Sequence, residues 1–314
     1  MTLLLVPVLV SVALGLVAGP LERRLPPATA ARLLTGSALV TALATGFVLG
    51  VAGFVALSQV PFVAAVGQWS RTALQQSHIP QVLGAAAGAL VLALLGRAVR
   101  HAIVAVRHLW AAEATCRRLG PGADGLVVTD DSVPDAYAVQ GLSGRIVVSR
   151  AMLSGLPADE RRVLLAHEAS HLRHRHHVYL QLTQLAAAAN PALRQVTEAV
   201  HAAVERWADE DAAADVGDRS LAARALARAS LLRHRSSTAA PRSRPASALA
   251  AVTSGMVSRT QALLRPAPRP RRVLVLSTTA LVLCAAAAAG LTAHDTEHQF
   301  ELARHLLHHT SRTS

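Results

Sequence analysis

The stretch Ala158-Asp159-Glu160-Arg161-Arg162-Val163-Leu164-Leu165-Ala166-His167-Glu168-Ala169-Ser170-His171-Leu172-Arg173 decides how the rest of the chain is read. Pro157 precedes it, and Asp159 and Glu160 open it. Both are helix-start signals, and the apolar run Val163-Leu164-Leu165 carries the helix onward. Residues four apart lie on one face of a helix, so the imidazoles of His167 and His171 can reach one metal ion. Glu168 sits on the neighbouring flank, where it can take a proton from an attacking water. With 15 His and 9 Glu in 314 residues, a chance match to this spacing arises in roughly 2% of such chains, the false-positive risk a short motif carries.

Two imidazoles do not complete a catalytic metal site, which uses three protein ligands and an open position. Glu205, in Glu205-Arg206-Trp207-Ala208-Asp209, is the candidate for the third ligand. Asp209 lies four residues on and can accept the free ring N–H of a ligand histidine, the usual way a second carboxylate orients a metal-bound imidazole. Glu198 and His201 stand in reserve as third ligands, and an acidic solvated helix face is the bland alternative. His174, His176 and His177, with their Arg neighbours, are expected at the surface. The histidines His294, His298, His305, His308 and His309 are expected in a short amphipathic tail. Two cysteines, Cys116 and Cys284, exclude a disulfide scaffold and a Cys-based zinc module.

Outward from the motif, short apolar runs upstream read as strands: Leu126–Thr129, Ala136–Gln140 and Arg145–Ser149. Gly141–Gly144 makes a tight turn between the last two, which predicts a hairpin. Downstream, helices are expected at Val178–Ala189, Ala192–Val216 and Ser220–Arg235. Ser236–Ala248 and Arg265–Arg272 are rich in Pro, Arg and Ser and read as linkers. Residues 97–272 are long enough for one domain with its own core.

Four apolar stretches without Asp, Glu, Arg or His frame this region: Thr2–Gly19, Leu33–Leu57, Pro80–Gly96 and Val273–Ala293. A bilayer core about 30 Å thick needs about 20 helical residues. With 52% apolar residues the chain is neither disordered nor an ordinary soluble domain. All 31 basic side chains are Arg, and the net charge is +12. The excess sits beside the apolar stretches, at Arg23, Arg24 and Arg32, at Arg97, Arg100 and Arg107, and at Arg265, Arg269, Arg271 and Arg272. The positive-inside rule then places residues 97–272 in the cytoplasm, with the N-terminus and the tail outside. Direct nucleic-acid binding is not expected, because aromatics are 3% of the chain and do not interleave with the arginines. Transport is disfavoured because the spans carry no ionisable residue.

The run Pro134-Asp135-Ala136-Tyr137-Ala138, then Gly144-Arg145-Ile146-Val147-Val148-Ser149, then the histidine helix and Glu205…Asp209, resembles the gluzincin membrane metallopeptidases. Two branches are similar, the HtpX/CAAX-prenyl-protease type and the BlaR/MecR type. Three spans, a peptidase domain and a fourth span resemble the BlaR/MecR layout. The resemblance implies a mainly α membrane protein, with four transmembrane helices and a helical, zincin-like α+β peptidase domain carrying a small β-sheet. The expected division is 1–96 for three transmembrane helices, 97–235 for the peptidase domain, 236–272 for a linker, 273–293 for the fourth helix and 294–314 for a His-rich tail. The resemblance implies one Zn²⁺ per chain held by His167, His171 and Glu205, with Glu168 as general base and Asp209 behind a ligand. It implies that Ala136, Tyr137 and Ala138 form the edge strand that receives an extended substrate. The implied activity is hydrolysis of peptide bonds in a protein substrate, with a cytoplasmic transcriptional repressor as the target class. The chain departs from BlaR/MecR sensors in having about 21 residues after the last span, with no penicillin-binding domain there. An HtpX-like quality-control protease and a catalytically idle membrane scaffold or sensor are the alternatives.

Overall fold

The computed structural model describes residues 2–67, 80–120, 122–238, 246–266, 269 and 271–310. Residues 68–79, in the loop between the second and third apolar stretches, lie outside the described residues. Each apolar stretch lies in a helix long and apolar enough to cross a membrane. These are α1 (Thr2–Arg24), α2 (Pro27–Ser58), α4 (Gln81–Leu119) and α11 (Arg272–Thr310), with a short α3 (Pro61–Gly67) after α2. Pro26 and Pro27 force the turn between α1 and α2, since a proline at the first helical position has its φ preset. At 39 residues, α4 is about 58 Å long by the helical rise. It outruns any bilayer and continues as a strut to the mixed region that follows it. α11 likewise runs through the expected tail to Thr310 in place of ending at residue 293.

Without a hydrophobic drive inside lipid, helices associate where small residues let backbones approach. α2 and α4 meet at Gly53 and Gly88, where a Cβ on Gly53 would stand 2.5 Å from the Gly88 Cα. Val10, Ala44, Val48, Ala285 and Ala289 close the bundle between α1, α2 and α11.

Between α4 and α11 lies the mixed region. Strands β1 (Leu126–Thr129), β2 (Ala136–Val139) and β3 (Arg145–Ser149) form one sheet in the order β1-β3-β2. The expected hairpin is present, with Ala136 opposite Val148 and Val139 opposite Arg145. β1 adds in parallel to the other side of β3, so β2 is an edge strand. The Ser149 hydroxyl accepts from the Met152 amide and caps α5 (Arg150–Gly155), a short helix not foreseen. Then come α6 (Ala158–Arg173), α7 (His176–Ala189), a single 3₁₀ turn (Pro191–Leu193), α8 (Arg194–Val216) and α9 (Arg219–Thr238). Within residues 236–272, expected as a linker, residues 246–263 form α10 (Ala246–Leu263), which packs on α8 and α9. Arg219 holds it there by donating to the carbonyls of Ala262, Leu263 and Arg265 at 3.0–3.2 Å. Carbonyls at and just past a helix C-terminus have few backbone partners, and a guanidinium satisfies several at once.

The largest core lies where the mixed region meets the long apolar helices. Leu14, Ala18, Leu21 and Leu25 of α1 and its turn, and Ala30, Ala31 and Leu34 of α2, pack on Leu193 of the 3₁₀ turn and Val196, Val200 and Val204 of α8. Arg206 adds an ion pair to Glu22 at 2.6 Å, with both side chains largely buried.

A methyl group at Gly53 forces α2 and α4 apart, so Gly53→Ala lowers the melting temperature of the detergent-solubilised protein, at a cost of about 1–3 kcal/mol. Gly50→Ala, with nothing within 4 Å, leaves that temperature unchanged or raises it, because alanine is the better helix former.

Candidate metal centre

α6 and α8 pack face to face and bring the sequence-predicted ligands together. His167 Nε2 and His171 Nε2 lie 3.2 Å apart. Glu205 Oε1 is 3.6 Å from His171 Nε2, and Glu205 Oε2 is 4.0 Å from His167 Nε2. Two nitrogens each about 2.0–2.1 Å from a tetrahedral ion stand about 3.3 Å apart, so this donor set fits a zinc-sized cation. Among the described residues, His167, His171 and Glu205 form the one group of three or more His, Cys, Asp or Glu residues with metal-ligand spacing. Glu198 and His201, the reserve ligands, are exposed on α8 and stand outside it.

The surroundings set the orientation of each ring. Asp209 Oδ1 lies 3.0 Å from His167 Nδ1, which leaves Nε2 facing the centre. Burial works against a charged His167, but the Asp209 carboxylate outweighs it and raises the imidazole pKa. His171 is backed by His176, Nδ1 to Nδ1 at 3.0 Å. The tautomer that frees His171 Nε2 for a metal carries its proton on Nδ1, where His176 accepts it. His176 was expected at the surface and is instead fully buried. It packs against Trp207 with ring centroids 4.9 Å apart, and His174 stacks on the same indole at 4.5 Å. The reason is a break at Arg175, whose left-handed φ of 50° ends the α6 direction and turns His176 inward. Burial, then the neighbouring His167, pushes the His171 pKa down to about 4, and burial, then His171, pushes His176 down to about 3. Both are held neutral, the form that binds metal.

A cation that motif reading missed completes the electrostatics. Arg259, on α10, donates from Nε and Nη2 to the two Asp209 oxygens at 2.7 and 2.6 Å, and from Nη1 to Glu205 Oε2 at 2.7 Å. Burial alone raises the pKa of both carboxylates. The guanidinium reverses this, lowering Glu205 and holding Asp209 down at about 2. Glu205 keeps Oε1 toward the imidazoles while Oε2 takes the arginine. No spacing rule connects Arg259 to residues fifty positions earlier, so only the packing of α10 reveals it.

Glu168 is buried on the sheet side of α6. Its carboxylate accepts the Ala138 backbone amide, and Arg233 Nη2 lies 3.8 Å away. Burial is the larger effect and raises its pKa. Arg233 also donates to the Ala136 carbonyl at 3.2 Å. The outward edge of β2 thus faces the centre, with Ala136 buried and Tyr137 about half exposed toward the other face.

The model of a family described as Peptidase family M48 matches residues 111–280, which include α6, α8 and α10. A protease HtpX homolog of Aeropyrum pernix is 42% identical over 65 residues, a match spanning one fifth of each chain. No solved structure gives a significant match.

Removing the shared cation leaves two buried carboxylates facing each other, so Arg259→Ala destabilises the fold by about 3–5 kcal/mol. Thermal unfolding checks this, and Arg259→Lys recovers only part of the loss because it cannot bridge both carboxylates in a fork. In chelator-treated protein, acidification from pH 7 to pH 5 lowers the melting temperature. The unfolded chain takes up protons that folded His171, His176 and His177 refuse, and His167 and Glu168, whose pKa values are raised in the fold, offset two of the three. A melting temperature that rises over that range contradicts the assignment.

Proposed function

The chain belongs to peptidase family M48, and from that membership we propose that it is a membrane-embedded, zinc-dependent metalloendopeptidase. The observation that carries the proposal is the convergence of His167, His171 and Glu205 beside a buried Glu168. His167, His171 and Glu205 hold the metal, and Asp209 fixes the His167 ring. The zinc, when bound, supplies a Lewis acid that polarises the scissile carbonyl and acidifies a water. Glu168 accepts the proton of the attacking water at a carboxylate oxygen and delivers it to the leaving amine, with no covalent intermediate. An extended substrate adds to the free edge formed by Ala136, Tyr137 and Ala138. The Ala136 carbonyl and the Ala138 amide are the groups it pairs with, so the substrate takes over the positions now held by Arg233 and Glu168.

Three apolar helices before the domain and one after it support the BlaR/MecR-type reading, with a cytoplasmic repressor as substrate. The short match to an HtpX homolog favours a second reading, turnover of membrane proteins. In both, the protein is a multi-pass protein of the cell membrane. The arginines flanking α1, α2 and α11 support a cytoplasmic peptidase domain, with the N-terminus and tail outside. A reporter that works only inside the cell is then active near Ser237 and silent after Ser314; the opposite pattern reverses the orientation.

Metal analysis paired with cleavage assays tests the activity. Wild type and Glu168→Gln each retain about one zinc per chain, as expected of a three-ligand site that the base does not join. Glu205→Ala loses the zinc. Glu168→Gln lowers cleavage of an unfolded protein such as casein by about 10²–10⁴-fold. Zinc-free wild-type protein, or unchanged cleavage by Glu168→Gln, returns the chain to the idle scaffold.

A further inference from the structure

The segment between the two ligand-bearing helices does not lie on the peptidase surface. α7 and α8 form a hairpin whose bend is wedged between α1 and α2. Asn190 at the bend is buried, and its Nδ2 donates to Ser11 Oγ at 2.7 Å and to Thr45 Oγ1 at 3.3 Å. Ser11 is at the centre of the apolar run Thr2–Gly19, and Thr45 is at the centre of Leu33–Leu57. The contact is close at the backbone too, since a Cβ on Gly15 would stand 2.7 Å from the Ala192 carbonyl oxygen. The bend therefore sits at the middle of the first two spans. From Asn190 to Glu205 is about 22 Å along the chain by the helical rise, so α8 climbs from mid-bilayer to the metal centre near the membrane surface.

One face of α8 buries Val196, Val200 and Val204 against the membrane helices, continuing from Leu193 in the turn before it. Its exposed face carries Arg194, Glu198 and His201, at positions that continue in register to Glu205. Arg194 stands about 6 Å along the helix from Asn190, deep within the thickness that α1 and α2 span. At such depth ionisable side chains face a protein interior or a water-filled cavity, because acyl chains cannot solvate them. These side chains do not face the α1–α2 interface, which the opposite side of the helix fills.

We infer that α7 and α8 are a re-entrant hairpin, and that the Arg194–Glu198–His201 stripe lines a hydrated groove leading from mid-bilayer to the metal centre. Resting on the peptidase reading, the groove admits an extended segment of a membrane-anchored polypeptide and delivers it to Glu168 from the membrane side. Polar backbone of such a segment needs water or protein partners throughout its passage, and the stripe supplies both.

The test reads solvent exposure at matched depth and does not depend on activity. In the full chain with Cys116→Ala and Cys284→Ala, a nitroxide is attached to Arg194→Cys and, separately, to Leu16→Cys. Leu16 is 65% exposed and adjoins Gly15, so it shares the depth of the bend. After reconstitution into vesicles of phosphatidylethanolamine and phosphatidylglycerol, collision rates with oxygen and with a water-soluble nickel chelate are compared. The nickel-to-oxygen ratio is expected to be severalfold higher at Arg194→Cys than at Leu16→Cys. Glu198→Cys, exposed on the same stripe one turn nearer the metal centre, gives the same ordering should Arg194→Cys fold poorly. Two oxygen-rich labels mean that the stripe faces acyl chains, and two nickel-rich labels mean that the bend lies outside the bilayer; either result overturns the groove. A protein with the expected labels but no cleavage retains the groove and loses only the peptidase reading.

Discussion

Burying two carboxylates beside neutral imidazoles is the constraint on which the rest of this structure depends. Glu205 and Asp209 lie four residues apart on α8, and both face the histidine helix. Two opposite charges 4 Å apart attract by about 4 kcal/mol in partly buried surroundings, so one well-placed cation can offset the desolvation of both. Arg259 is that cation, and its fork engages both side chains. Its position requires α10 to lie across α8 and α9, which Arg219 secures at the C-terminal end of α10. The last helix before the fourth span is therefore part of the metal centre.

The same helix, α8, ties the centre to the membrane. Its first turns pack between α1 and α2, its middle pairs Arg206 with Glu22, and Trp207 receives the guanidinium of Arg32 at 4.8 Å from the ring centroid. Glu205 lies within this membrane-packed stretch. One rigid element, in place of a flexible tether, thus fixes the candidate metal centre relative to α1 and α2. The third span contributes in another way, since α4 continues past the membrane and packs along α7.

On the opposite side of α6, the sheet is small because its task is local. Three short strands suffice to present one free edge, and the order β1-β3-β2 leaves that edge next to Glu168. Glu168 and Arg233 occupy the outward amide and carbonyl of β2, so buried polar groups there are satisfied. A strand added to this edge exchanges one set of hydrogen bonds for another, an exchange with small net cost.

Much of this was legible in residue order. The apolar runs are long enough to identify all four membrane helices, and the spacing of His167, His171, Glu205 and Asp209 follows helix periodicity, which is a local property. β1 and β3 start and stop where alternation and glycines place them, and β2 begins where expected and ends one residue early. What tertiary structure alone decided are pairings between distant segments. A Pro- and Arg-rich stretch reads as a linker, because nothing near Arg259 in sequence shows that two buried acids await it. His176 reads as one of a surface cluster, because the backbone turn at Arg175 that buries it has no sequence marker such as glycine. The apolar run after the motif is too short to span a membrane, and its packing against the first two helices depends on Asn190 finding hydroxyls on both. Periodicity is written within a segment, whereas charge compensation and hydrogen bonding across segments appear only when the chain has packed.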